Sequence, residues 1–223
     1  MRVAFVVERF PQLSETFVLG QIAGLIDGGH DVHIYADMGD FTGMVHPQVD
    51  RLHLRDRTHY GRHFPGARRV RQARMAVDVL KRIGAGTIRP AQLYRAVARS
   101  GSHAIPALNY DRVDEVYDGI VAHFGPNGVK ALEMRRAGVF SGPILTVFHG
   151  YDMNARRHSV RRGYRGLLAE GDLFLPINEF FHRRLLEWGA PPGRVLVHHM
   201  GVDPVAFPLR SRRMTDGTLR VAS

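Results

Sequence analysis

The chain has 223 residues, no cysteine and a formal charge of +10 at neutral pH, with 44% hydrophobic and 23% charged residues. That is enough for one large folded domain or a domain and a half, and it excludes disulfides and thiolate-based metal or redox chemistry. No apolar run reaches the roughly 18 residues of a membrane-spanning helix, and the apolar start is interrupted by Glu8 and Arg9 too early for a secretion signal, so a cytoplasmic protein is expected.

Residues 2–7 form a short apolar run suited to a buried parallel strand. A turn follows at Pro11. Ser14 is a good helix N-cap, and Phe17, Leu19, Ile22, Leu25 and Ile26 keep helical spacing until Gly28 and Gly29 stop the helix. His30 to Ala36 is a second strand, which closes a right-handed βαβ unit. Residues 65–85 and 90–100 read as arginine-rich helices. Asp118 to Phe124 resumes the strand pattern, Asn127 to Ala137 is a helix ended by Gly138, and Pro143 to Phe148 is another buried strand. Leu173 to Ile177 is a further strand, Asn178 to Trp188 a helix stopped by Gly189, and Arg194 to Val197 the last strand. Strand and helix alternate throughout, so the expected class is α/β, a Rossmann-like doubly wound parallel sheet. Leu209 to Gly217 reads as a polar linker, and Thr218 to Ser223 as the opening of a strand. One domain of a larger protein is therefore expected.

The positive charge is almost all arginine, Lys81 and Lys130 being the two lysines. It is grouped at Arg51/Arg55/Arg57, Arg68/Arg69/Arg71/Arg74, Arg156/Arg157/Arg161/Arg162/Arg165 and Arg210/Arg212/Arg213. Such groups are either solvated faces balanced by an acidic domain elsewhere, or surfaces that attract lipid or substrate phosphates. Nucleic acid is disfavoured, because no aromatic residues alternate with the basic ones to stack bases.

Ligands of doubly wound sheets bind at the carboxyl ends of the strands. In this sequence polar groups follow each strand: Glu8 to Thr16 after the first, His123 before Asn127, His149-Gly150-Tyr151-Asp152, Asn178-Glu179, and His198-His199. His149 is the sharpest candidate, since it leaves a buried strand and precedes a glycine that permits close backbone approach; its imidazole can donate or accept near neutral pH. The alternative is a histidine bonded within its own loop, and for His123 a loop-bracing role is equally simple. Ser14, Glu15 and Thr16 open a helix whose first-turn amides could receive an anion. His198 and His199 point to opposite faces if the strand continues, so at most one reaches the rim. There is no zinc-binding HExxH, no nucleophile elbow, no phosphate-binding P-loop and no dinucleotide GxGxxG, so neither a metal nor a cofactor is expected.

Phe10-Pro11-Gln12-Leu13-Ser14-Glu15-Thr16-Phe17-Val18 resembles the opening of bacterial glycosyltransferases that build exopolysaccharide, capsule or colanic-acid-like chains, members of the GT4-type family with the GT-B fold. His123-Phe124-Gly125, Thr146 to Asp152 and Val197 to Asp203 resemble the same family. The resemblance covers most of residues 1–208 and is weakest from about 40 to 115. It implies that residues 1–208 are the N-terminal, acceptor-binding half of a retaining transferase and that 209–223 are a linker and the start of a nucleotide-sugar-binding C-terminal domain. It further implies that His149 is catalytic, hydrogen-bonding a hydroxyl of the donor sugar. Ser14, Glu15, Thr16, His123, Gly150, Asp152 and Asn178 would contact substrate. The partners implied are a nucleotide-sugar donor, a glycan or lipid-linked acceptor and an anionic inner membrane face. The glycine-rich turn that many relatives carry after the first strand is here Phe10-Pro11-Gln12. The alternative function is a non-catalytic module of the same fold that binds sugar or lipid phosphate.

Overall fold

A computed structural model describes residues 1–39, 44–101, 104–110, 114–153, 162–201, 204, 208 and 209. The expected linker and final strand lie outside those residues apart from Leu209, as do Val202, Asp203, most of the Arg156–Arg165 group and all of the Arg210–Arg213 group. The elements in chain order are β1 (Arg2–Phe10), α1 (Thr16–Asp27), β2 (Asp31–Gly39), α2 (Pro47–Arg51), β3 (Thr58–Tyr60), α3 (Arg68–Gly84), α4 (Pro90–Ser100) and α5 (Ala104–Ala107). There follow β4 (Glu115–Val116), β5 (Gly119–His123), α6 (Gly125–Arg136), β6 (Phe140–Ser141), β7 (Ile144–Phe148), α7 (Arg165–Glu170), β8 (Leu173–Pro176) and α8 (Glu179–Glu187).

Six strands form one sheet in the order β3-β2-β1-β5-β7-β8, every pair parallel. β4 and β6 make a separate parallel pair. Side chains alternate across β1: Val3, Phe5 and Val7 enter a core with Val18, Leu19 and Ile22 of α1, whereas Ala4 and Val6 enter a second core with Ile120, Leu132 and Phe148. Both faces are thus covered by helices, which is why the strands read as continuous apolar runs. This is the doubly wound sheet expected from the alternation of elements.

Chain order locates the switch point of the sheet. From β1 the chain steps outward to β2 and β3, then returns to the other side of β1 at β5 and continues to β7 and β8. The order reverses between β1 and β5, and the carboxyl ends of those two strands flank the switch point where such sheets bind ligands.

Three local expectations are corrected. β1 runs on to Phe10, paired Arg9 to Met38 and Phe10 to Gly39 of β2; Glu8 and Arg9 are exposed there, so the apolar run ends before the strand does. Ser14 is not the N-cap of α1. Its Oγ accepts from Gln12 Nε2 at 3.1 Å, Glu15 holds the N-cap position, and no side chain caps the helix. The last strand shrinks to a single bridge between Val195 and Phe174. Leu196 N donates to Phe174 O at 3.0 Å and His198 N to Pro176 O at 2.9 Å, but Pro176 has no N–H to return to Leu196 O, so the ladder cannot propagate.

Candidate functional site

β5 and β7 each end at the rim with a histidine. His123 is the last residue of β5, and His149 follows Phe148, the last residue of β7. Parallel pairing of the two strands, with His123 opposite Val147, brings the imidazoles together: His123 Nδ1 lies 3.1 Å from His149 Nε2. On the other side His123 Nε2 lies 2.7 Å from Gln21 Oε1, on the second turn of α1.

Burial decides how these rings are protonated. His123 is 1% exposed and His149 8%. Burial, with His149 and His198 as neighbouring bases, pulls His123 from 6.5 down to about 3; burial alone pulls His149 down to about 4. Both are neutral at pH 7, so each ring has one N–H and one lone pair. The Gln21 carbonyl oxygen can only accept, so His123 Nε2–H donates to it. His123 Nδ1 then accepts from His149 Nε2–H. The lone pair of His149 Nδ1 is left over, and among the described residues no protein group bonds to it. The sequence suggested a histidine able to donate or accept near neutral pH; the fold holds it neutral, in one tautomer, with Nε2–H donating and Nδ1 left to accept.

Aromatic rings pack around this acceptor. Phe17 of α1 stands 4.8 Å from the His149 ring, and Phe124 4.5 Å from it. Tyr151 stacks obliquely on Phe124 at 5.0 Å. Phe124 has a φ of 71°, a conformation that costs a non-glycine residue about 1–3 kcal/mol and is typical of functional turns.

Asp152 builds the loop rather than facing outward. It is 2% exposed, with Oδ1 accepting from His149 N at 2.9 Å and Oδ2 from Gly125 N at 2.9 Å. It therefore joins the end of β7 to the first turn of α6. Burial raises its pKa above 3.8, partly offset by those amides. Tyr164 donates to the Asp152 carbonyl at 3.2 Å and occupies the space where a Cβ on Gly125 would fall, 2.3 Å from its ring. Asn178 is engaged as the N-cap of α8, its Oδ1 accepting from Phe181 N at 2.9 Å. His199 Nδ1 donates to Ile177 O at 3.1 Å, while His198 is the one whose charge reaches His123.

The remaining expected residues sit beside this cluster. Ser14 and Glu15 line a cleft of about 270 Å³ with Arg9, Phe10, Leu13 and His46. Burial, then the Glu8 carboxylate, raises the pKa of Glu15, and Glu8 and Glu15 both act on Tyr151, so the loops after β1 and β7 share the rim. Thr16 and Gly150 are exposed next to Glu15 and His149 respectively. Gln21, Phe17 and Lys130 were not singled out from the sequence. Lys130 reaches from α6 to Val7 O of β1 at 3.0 Å and to Asp37 of β2 at 2.8 Å, tying the two strands together. Phe17 and Gln21 are four apart on α1, and that spacing was the available signal that they share a face. Among the described residues no group of three or more His, Asp or Glu is placed to hold a metal ion.

No family model matches the chain. It is 34% identical over 215 residues to a protein of Salmonella typhimurium that carries the name of a colanic acid biosynthesis glycosyltransferase, WcaL, covering 95% of this chain and 53% of that one. It is 33% identical over 232 residues to the amylovoran biosynthesis glycosyltransferase AmsK of Erwinia amylovora, covering 100% of this chain and 56% of AmsK. The fold matches the Anabaena protein HepE, solved with UDP-glucose, at a TM-score of 0.53 and 12% identity, over 91% of this chain and 44% of HepE. The chain thus spans about half the length of the relatives it matches. It is homologous to glycosyltransferases of exopolysaccharide biosynthesis, and its sheet is one half of the GT-B fold.

Proposed function

We propose that this relative of exopolysaccharide glycosyltransferases is the N-terminal, acceptor-binding half of a retaining GT4-type enzyme, which moves a sugar from a nucleotide-sugar to a lipid-linked glycan. The observation that carries the proposal is the neutral acceptor at the switch point. His149 Nδ1 offers a lone pair that His123 and Gln21 hold in one tautomer, at the crevice where a sugar hydroxyl would donate to it.

In the reaction the bond between the anomeric carbon and the diphosphate oxygen breaks, a bond to the acceptor hydroxyl oxygen forms, and the nucleotide diphosphate leaves, its freed oxygen taking the proton of that hydroxyl. Positive charge develops on the donor ring. A protonated histidine there would oppose it, so the depression of both histidine pKa values suits the chemistry. His149 contributes orientation rather than proton transfer. Glu15, with a raised pKa, and Ser14, Thr16 and Gly150 are assigned to the acceptor or donor side of the same rim. Asp152 acts by fixing the His149 loop, and Asn178 by starting α8.

The nucleotide-sugar would be held chiefly by the other half of the protein. An anionic membrane face at which the lipid-linked acceptor resides is the third partner. Among the described residues no helix is long and apolar enough to cross a membrane. The test is release of nucleotide diphosphate by the protein in its full natural length, across a panel of nucleotide-sugars with a lipid-linked acceptor extract. Acceptor-dependent release supports the reading. Binding of sugar or lipid phosphate with no turnover on any donor would favour the binding module instead.

A further inference from the structure

The rim around His149 carries two features that the histidine pair does not use. One is an exposed ring. Tyr151 is 65% exposed, backed by Phe124 at 5.0 Å, which in turn packs on His149 at 4.5 Å. A backed ring with an open outer side is a platform for the apolar face of a ligand. The other feature is a pair of carboxylates. Burial, then the charge of Glu8, raises the pKa of Glu15; burial, then Asp152, Glu8 and Glu15, raises that of Tyr151. Glu8 from β1, Glu15 from the start of α1 and Tyr151 from the loop after β7 therefore converge across the switch point. Among the described residues no cation forms an ion pair with Glu8 or Glu15. Lys130, which feels Glu8, is bonded to Asp37 and to the Val7 carbonyl instead.

His149 marks the same place independently. It is 8% exposed, and its Nδ1 lone pair has no protein partner among the described residues. Two carboxylates and Nδ1 can only accept hydrogen bonds, so this wall selects its ligand. A uronate or a sugar phosphate would set like charge against Glu8 and Glu15. A purely apolar group would cover the ring but leave the carboxylates desolvated and unpaired. An uncharged pyranose satisfies both parts at once, with hydroxyl donors for the carboxylates and a C–H face for the tyrosine ring. We infer that Tyr151, Glu8 and Glu15 form a subsite for an uncharged pyranose, the terminal sugar of the acceptor, and that they refuse acceptors ending in a uronic acid or a phosphorylated sugar. The inference rests on the transferase reading for the place of that sugar in the reaction.

The experiment measures glycoside binding to the protein in its full natural length by ligand-observed NMR, with no donor present. The probes are methyl glucoside and methyl galactoside, each against its own uronate, which differs only in a carboxylate at C6. At least one uncharged glycoside should bind at least about ten-fold more tightly than its uronate. Glu8→Gln/Glu15→Gln should shrink that ratio to about three-fold or less. Tyr151→Ala should weaken the uncharged glycoside by about ten-fold, and Tyr151→Phe, which keeps the ring, should restore most of the loss. Circular dichroism checks that each variant is folded, and the Tyr151 series needs no change at either carboxylate. The inference is overturned if neither uncharged glycoside binds the wild type, if a uronate binds as well as its parent, or if the variants bind as the wild type does. Turnover on the lipid-linked acceptor extract separates the two proposals: turnover without glycoside binding removes the subsite alone, and selective glycoside binding without turnover removes the enzyme reading alone.

Discussion

At the scale of single residues, the site rests on two histidines kept uncharged. The folded state resists protonating His123 until about pH 3 and His149 until about pH 4, whereas an unfolded histidine titrates near 6.5. As pH falls below 6.5 the unfolded chain takes up protons first, so stability is complete above that value and is lost progressively down to pH 3–4. Each histidine contributes a slope of up to about 1.4 kcal/mol per pH unit. The direct check is NMR: the ring carbon-bound protons of His123 and His149 should not shift between pH 8 and 5 in wild type. In Gln21→Glu, which sets a carboxylate against His123, its resonances should begin to titrate in that window. A wild-type midpoint near 6.5 would refute the neutral pair. Asp152→Asn makes a second case. Only one of the two side-chain atoms can then accept, so either Gly125 N or His149 N loses its partner, and denaturant unfolding should show a loss of about 1–3 kcal/mol.

At the scale of elements, most of the fold was legible because buried parallel strands and the Gly28, Gly138 and Gly189 stops announce themselves in the sequence. Local chemistry overrode local propensity elsewhere. Ser14 has the composition of a cap, yet Gln12 engages its hydroxyl and the helix starts later. Val195 to Val197 has the composition of a strand, yet its neighbour Pro176 lacks the donor that would extend the pairing. His123 and His149 were visible as residues, but their contact depends on the register of β5 against β7, and Gln21 lies 102 positions from His123. Glycine in α6 shows the same coupling between distant elements. A Cβ on Gly128 would fall 2.6 Å from Thr146 Oγ1 of β7, so α6 approaches the sheet closely only because that position is bare. Gly128→Ala should cost about 1–3 kcal/mol by forcing the helix outward, with part of the loss recovered in Gly128→Ala/Thr146→Ala. Additive losses in that double-mutant cycle would mean the two positions do not meet.

At the scale of the whole molecule, the switch point between β1 and β5 gathers Glu15, Phe17, Gln21, His123 and His149 from three separate stretches of chain onto one rim. Opposed requirements are met there: burial strips the histidines of charge, while Nδ1 of His149 keeps its lone pair without a partner among the described residues. The chain spans about half the length of the relatives it matches, and the proposal sets the rest of the enzyme across that rim. The most direct measurement compares wild type with His149→Ala, each in its full natural length, following acceptor-dependent release of nucleotide diphosphate. The account predicts turnover by wild type and a loss of about a hundred-fold in kcat for the variant, which stays folded at a cost of about 1–3 kcal/mol for the partner His123 loses. Equal kcat in the two proteins would contradict it, returning His149 to a purely structural role in its loop.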